Sequence, residues 1–183
     1  MSKIVKNILL GLLAVFVILQ FFQIDKTNPE APAEQDLMAL TNPPDEVATL
    51  LKSACYDCHS NETVYPWYTN IQPVGWWTKD HVEEARGHLN FSEWGTYPAK
   101  KAAHKMEESY EEVEGGEMPL KSYTLAHSEA RLNDEQRDRL VAWFQAQETQ
   151  IKQAGSRSET PAPNMIRESG EDEDHEDHED QDH

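Results

Sequence analysis

Apolar residues recur at helical spacing in several separate segments of this chain. Val47, Leu50, Leu51 and Ala54 fall at positions i, i+3, i+4 and i+7, which places them on one face of an α-helix. The sequence Asn-Pro-Pro-Asp at residues 42–45 favours a helix start, because it combines a cap residue, prolines suited to a first turn and an acid. The pattern therefore predicts a first helix that begins near residue 44 and ends at the cysteine motif described below.

Three further helices follow from the same kind of pattern. The spacing of apolar residues predicts a second helix over residues 74–89, and Pro98 can open a third helix that the Gly115-Gly116 pair ends. A last helix over residues 133–150 opens with a cap residue and a Gln three positions later. Because strands do not alternate with these helices, the sequence predicts an all-α domain over residues 44–150.

Residues 1–25 predict a transmembrane anchor. The stretch 8–22 is apolar except for Gln20, and a helix from Ile4 to Phe22 would be about 28 Å long, close to the roughly 30 Å hydrocarbon layer of a bilayer. Two lysines precede this stretch, so the positive-inside rule leaves the amino end in the cytoplasm and places the rest of the chain outside. The absence of a small-residue cleavage site favours an uncleaved anchor over a removed signal peptide.

Two segments outside the domain lack a sustained apolar period. Residues 26–43 predict a linker, and residues 151–183 predict a disordered acidic tail. The net charge is −18, and residues 171–183 hold nine acids and no Lys or Arg. This charge disfavours nucleic-acid binding. The tail ends in His178, Glu179, Asp180 and His183, which predict either weak binding of Zn, Ni or Cu or simply a solvated flexible tail.

The segment most informative about function is Cys55-Tyr56-Asp57-Cys58-His59. Two thiols three positions apart, followed directly by His, form the attachment pattern of c-type haem. In that chemistry the two sulfurs add to the vinyl groups of one porphyrin, and the His gives its imidazole to the iron. A redox dithiol is an alternative, but it favours a βαβ context. A structural zinc site is a second alternative, but it needs two further ligands, and no second Cys pair exists.

Four segments carry a resemblance to a known family. Residues 54–61, 65–68, 90–93 and 116–120 look like the membrane-anchored haem-binding domain family of Bacteroidetes, and the domain over residues 44–150 is similar to class I cytochrome c. The resemblance implies a class I cytochrome c-like fold of about four helices around one covalent haem c in the bacterial cell envelope.

The axial ligands follow from the motif and the resemblance. His59 is the expected proximal ligand, and the resemblance makes the carbonyl of Pro73, or else Pro66, the expected acceptor for its second ring nitrogen. For the sixth position Met118 is favoured, because Pro119 fixes the short loop that carries it. The rivals are an open site or a histidine, with four candidates, His81, His88, His104 and His127.

These expectations define a non-enzymatic electron carrier. The chain is expected to be a monohaem cytochrome in the bacterial inner membrane, with a single-pass anchor and its haem domain on the periplasmic side, that passes single electrons to an unknown partner protein. Ligation by both His59 and Met118 would leave no position for a substrate, which argues against an enzyme. The alternative is a haem-based sensor or ligand-binding module whose distal position is open or displaceable.

Overall fold

The computed structural model describes residues 2–158, and within this range the protein consists of helices and contains no strand. The eight α-helices are α1 (Lys3–Leu19), α2 (Leu37–Thr41), α3 (Asp45–Ala54), α4 (Tyr56–His59), α5 (Val74–His88), α6 (Ala99–Gly115), α7 (Lys121–Ala126) and α8 (Asp134–Ser158). Four short 3₁₀ helices cover Ala33–Gln35, Trp67–Asn70, Phe91–Thr96 and Ser128–Ala130. The prediction of an all-α protein is confirmed.

The four predicted helices correspond to α3, α5, α6 and α8. Gly116 ends α6 in the left-handed conformation, with φ of 75°, which glycine adopts without steric cost. At the start of α8, Asn133 Oδ1 accepts a hydrogen bond from the N–H of Gln136 at 2.8 Å, and Gln136 Oε1 accepts one from the N–H of Asn133 at 3.0 Å. The two side chains form the predicted capping box.

Helix α8 is longer than predicted. It continues to Ser158, so residues 151–158 are helical rather than part of a disordered tail. The remaining tail residues, 159–183, lie outside the described part of the chain, and so do the histidines and acids proposed to bind a metal ion.

The hydrophobic core lies where α3, α6 and α8 pack together. Leu51 of α3, Met106 of α6 and Leu140 of α8 are almost completely buried. Trp143 and Phe144 join the same cluster of side chains as the apolar face of α3. This core fixes the end of α3, where the cysteine motif begins.

The segment 26–43 was predicted to be a linker, and this prediction is wrong. Leu37 in α2 is fully buried and belongs to the core cluster. Asp36 caps α2 by accepting a hydrogen bond from the N–H of Met38 at 2.8 Å, and the same carboxylate oxygen accepts one from Tyr56 Oη at 2.9 Å. The apolar positions in this segment are too few to show a period, although they complete the core of the domain.

The prediction of a membrane-spanning helix over residues 4–22 is corrected, since none of the helices within residues 2–158 has the length and apolar character needed to cross a bilayer. Helix α1 ends at Leu19. At Gln20 the carboxamide turns to the domain, where its Oε1 accepts from the N–H of Gln72 at 2.9 Å and its Nε2 donates to the carbonyl of Gln72 at 3.1 Å. The indole N–H of Trp76 also donates to the carbonyl of Phe22 at 2.9 Å. The chain after α1 is therefore attached to the domain.

Candidate functional site

The cysteine motif occupies the one-turn helix α4 and the residue before it. Cys55 has φ of −126° and ψ of −43°, which separates α3 from α4. The N–H of His59 donates to the carbonyl of Cys55 at 2.9 Å. Because residues four apart in a helical turn lie on the same face, this bond places the side chains of Cys55 and His59 on one side of the motif.

Both thiols of the motif lie in an environment that suppresses thiolate formation. Burial raises the pKa of Cys55 to about 12 and that of Cys58 to about 11. Catalytic dithiols show the opposite shift, because the thiolate is their nucleophile. The surroundings of the two thiols therefore disfavour a thiol-disulfide oxidoreductase.

Next to the motif lies a cavity of about 540 Å³. Cys55, His59 and Met118 all line this cavity, so the structure brings together three of the four residues predicted to bind haem. The apolar part of its wall is formed by Leu89, Phe91, Val113, Leu120 and Phe144. A largely apolar cavity with a few polar side chains is typical of a cofactor site.

His59 is oriented by a backbone carbonyl. Its Nδ1 atom lies 3.2 Å from the carbonyl oxygen of Leu89, at the end of α5. A carbonyl oxygen only accepts hydrogen bonds, so Nδ1 carries the proton and Nε2 of the neutral ring keeps its lone pair. Burial lowers the pKa of His59, which favours that neutral form.

The prediction of Pro73 or Pro66 as the acceptor for His59 is corrected by this contact. The carbonyl of Pro66 accepts hydrogen bonds from the N–H and the hydroxyl of Thr69, at 3.1 and 2.6 Å. The carbonyl of Pro73 accepts from the N–H of Trp77 in the first turn of α5, at 3.1 Å. Leu89 lies at the opposite end of α5, where helix geometry leaves the last carbonyls without a partner inside the helix.

A network of buried hydrogen bonds holds the chain next to Leu89. Asn90 Nδ2 donates to Asn61 Oδ1 at 3.0 Å, and the N–H of Asn61 donates to Ser92 Oγ at 3.0 Å. Asn90 Oδ1 accepts from the N–H of Ser92 at 3.1 Å, and the N–H of Asn90 donates to Tyr97 Oη at 2.9 Å. We call Asn61, Asn90, Ser92 and Tyr97 the proximal clamp. It joins the residues after His59 to the residues after Leu89, and so fixes the position of the carbonyl that orients the imidazole.

Met118 follows the end of α6. The N–H groups of Glu117 and Met118 both donate to the carbonyl of Glu112 at 3.1 Å, an arrangement that the left-handed Gly116 permits. Pro119 then leads into α7. The loop therefore places a thioether at the cavity without moving a helix into it.

The four histidines proposed as rivals to Met118 separate into two pairs. His81 and His88 on α5 line the cavity. His104 lies on the surface, where its Nε2 is 3.2 Å from Glu108. His127 forms hydrogen-bond contacts with Tyr68 Oη at 2.9 Å and Glu129 at 3.2 Å. Within residues 2–158, no cluster of three His, Cys, Asp or Glu side chains has the geometry to hold a metal ion by itself.

The charged part of the cavity wall contains carboxylates and one lysine. Lys105 Nζ lies 2.5 Å from Glu108 Oε2, and only 15% of the lysine side chain is exposed. The ammonium group of Lys105 is suited to donate a hydrogen bond to a carboxylate group of a porphyrin in the cavity.

A model of the haem-binding domain family matches residues 14–146 of the chain. The match covers more than half of the sequence, so the protein belongs to this family and binds haem. No curated protein and no solved structure matched the chain.

The residues of the cavity fit the group that the family implies. The cavity holds a neutral imidazole and a thioether, which are donors suited to haem iron, and beside them lies the first cysteine of the attachment motif. Leu89 and the proximal clamp were not predicted from the sequence. Residues 61, 90 and 92 lie within the segments that carry the family resemblance, and this was the signal that could have identified them.

Proposed function

We propose that the protein is a c-type cytochrome, in which Cys55 and Cys58 attach one haem covalently and His59 and Met118 are its axial ligands. The observation that carries the proposal is that His59 and Met118 line the same apolar cavity at the attachment motif. When bound, the haem supplies an iron that changes between Fe(II) and Fe(III). The fold proposed is that of class I cytochrome c, since a helix that ends in the motif and a closing helix that packs on it occur in the same order.

Each residue of the site has a separate part in this function. The hydrogen bond from His59 Nδ1 to Leu89 fixes the ring plane and increases the basicity of Nε2. Met118 would supply a thioether to the iron, which raises the reduction potential relative to a second imidazole. Phe91 and Phe144, both buried, give the cavity apolar walls next to the motif.

Ligation by Met118 is favoured over ligation by His81 or His88. Met118 lies on a short loop that its own backbone hydrogen bonds hold at the end of α6. The Nδ1 atom of His81 already lies 2.9 Å from the carbonyl of Trp77 within α5, and its ring packs against the Trp77 ring with centroids 4.2 Å apart and an angle of 48° between the planes. His88 is the stronger competitor, because it lies on the turn next to Leu89.

The location proposed is the periplasmic face of the bacterial inner membrane. None of the side chains of α1 is buried, and the helix is apolar from Ile8 to Leu19, so a lipid environment would cover a surface that otherwise faces water. A partner protein that exchanges electrons with the haem is part of this proposal.

Acidified acetone extraction tests the covalent bond. The haem should remain with the wild-type protein and add one haem mass to the intact chain, whereas a Cys55→Ser, Cys58→Ser variant should release it. Extraction of haem from the wild type would contradict covalent attachment. Rapid binding of carbon monoxide by the reduced wild type would instead favour a sensor with an accessible distal position.

A further inference from the structure

A hydrogen bond joins α7, the helix that follows the loop of Met118, to the cysteine motif. Tyr123 Oη donates to Asp57 Oδ2 at 2.7 Å. Asp57 lies between the two cysteines of the motif, and Tyr123 lies on α7, five residues after Met118. The bond therefore connects the two parts of the chain that carry the haem thioethers and the distal ligand.

Both partners of this bond are held in place. The other oxygen of Asp57, Oδ1, accepts from the N–H of Val64 at 3.1 Å. The ring of Tyr123 stacks on His127 with centroids 4.2 Å apart and an angle of 12° between the planes. His127 in turn contacts Tyr68 Oη at 2.9 Å. Burial, followed by the hydrogen bond to Asp57, raises the pKa of Tyr123, so its hydroxyl remains a donor.

Few other contacts hold this part of the chain. Among the residues that the structure describes, those of α7 are all at least partly exposed. The hydrogen bonds of the Met118 backbone lead back to Glu112 in α6 and fix only the first half of the loop. Thr124 accepts a bond from Arg131 at 2.8 Å, which ties α7 to the chain after it and not to the motif.

We propose that the Tyr123–Asp57 hydrogen bond is a latch that closes the loop of Met118 over the cavity, and so determines how firmly Met118 holds the sixth position. Tyr123 and Asp57 are positioning residues, since neither lines the cavity. A hydrogen bond to a carboxylate is stronger than one between neutral groups, which suits a contact that has to hold a loop with little buried surface. The inference rests on the proposed function, because it assumes that Met118 is the distal ligand.

The test compares Tyr123→Phe with the wild type in the full-length protein with its haem. Loss of a hydrogen bond to a charged group should increase the open population of the loop by about tenfold or more. We expect the far-red absorption band of methionine-ligated Fe(III) to weaken and carbon monoxide to bind the reduced form about tenfold faster or more. Tyr110→Phe removes a hydroxyl from a partly buried tyrosine on α6 and should change neither quantity.

Two further measurements separate positioning from general stability. Hydrogen exchange of the amides in residues 121–126 should be faster in Tyr123→Phe, while exchange in α3 and α8 should match the wild type. Asp57→Asn keeps an acceptor oxygen for Tyr123 but loses its charge, so its carbon monoxide binding rate should lie between those of the wild type and Tyr123→Phe. Should Tyr123→Phe fail to fold, as judged by its helical circular dichroism, Asp57→Asn provides the same test.

The outcomes distinguish the latch from the function on which it rests. If the wild type shows the far-red band but Tyr123→Phe matches it in band, binding rate and exchange, the latch is overturned and the proposed ligation by Met118 stands. If the wild type itself lacks the band, ligation by Met118 is wrong and the latch is overturned with it.

Discussion

The Nδ1 atom of His59 lies 3.2 Å from the carbonyl oxygen of Leu89, thirty residues further along the chain. The carbonyl belongs to the end of α5, and the imidazole belongs to the one-turn helix α4. The orientation of the imidazole therefore depends on how the residues after α5 are fixed. In this protein the four hydrogen bonds of the proximal clamp, three of them buried, fix these residues.

The proximal clamp should contribute strongly to stability. Asn90→Ala removes two hydrogen bonds. Asn61 Oδ1 loses its donor and the N–H of Ser92 loses its acceptor, and both residues are buried. We expect a loss of about 3 kcal/mol in the free energy of unfolding, measured with denaturant on the protein with its haem. Asn70→Ala is the control, because Asn70 is exposed, and it should cost less than about 1 kcal/mol. Equal losses in the two variants would contradict a special role of the clamp.

The packing of α2 can be tested with two leucines of the same helix. Leu37 is fully buried, whereas 54% of Leu40 is exposed. Leu37→Ala should lower the free energy of unfolding by about 3 kcal/mol, because it removes buried methyl groups and leaves a cavity. Leu40→Ala should change it by less than about 1 kcal/mol. Thermal or denaturant unfolding measures both, and a Leu37→Ala variant as stable as Leu40→Ala would restore the interpretation of this segment as a linker.

Stability above pH 10 should depend on Tyr56. Burial raises the pKa of this tyrosine, and its hydrogen bond to Asp36 raises it further. The pKa of Tyr56 in the folded state exceeds the value of about 10 in the unfolded state. The contribution of Tyr56 to the free energy of unfolding is therefore fully present below pH 10 and is lost as the pH rises further. The free energy of unfolding should therefore fall less steeply between pH 9 and 11 in Tyr56→Phe than in the wild type. Parallel curves for the two proteins would show that Tyr56 does not contribute.

The sequence predicted those elements whose signals are local. The apolar face at residues 47–54 defined α3, and the spacing of two cysteines and a histidine indicated the attachment motif. Gly116 and Pro119 indicated that Met118 lies on a short loop, and the structure places it at the cavity.

Other features depend on contacts between distant residues and left no local signal. The acceptor for His59 is a backbone carbonyl, which every residue possesses, so no residue type could identify Leu89. Leu37 completes the core from a short helix without a repeating pattern. Gln20, directly after α1, is held to the domain by its hydrogen bonds with Gln72, which lies fifty-two residues further along the chain.

The most direct test of the central claim is the absorption spectrum of the oxidised full-length protein, recorded for the wild type and for Met118→Ala. Met38→Ala is the matched control, because Met38 lies in α2 and packs against the core instead of lining the cavity. Ligation by His59 and Met118 predicts a far-red methionine-to-iron band in the wild type and in Met38→Ala, and its loss in Met118→Ala. A wild type without the band, or a band that persists in Met118→Ala, would contradict the account.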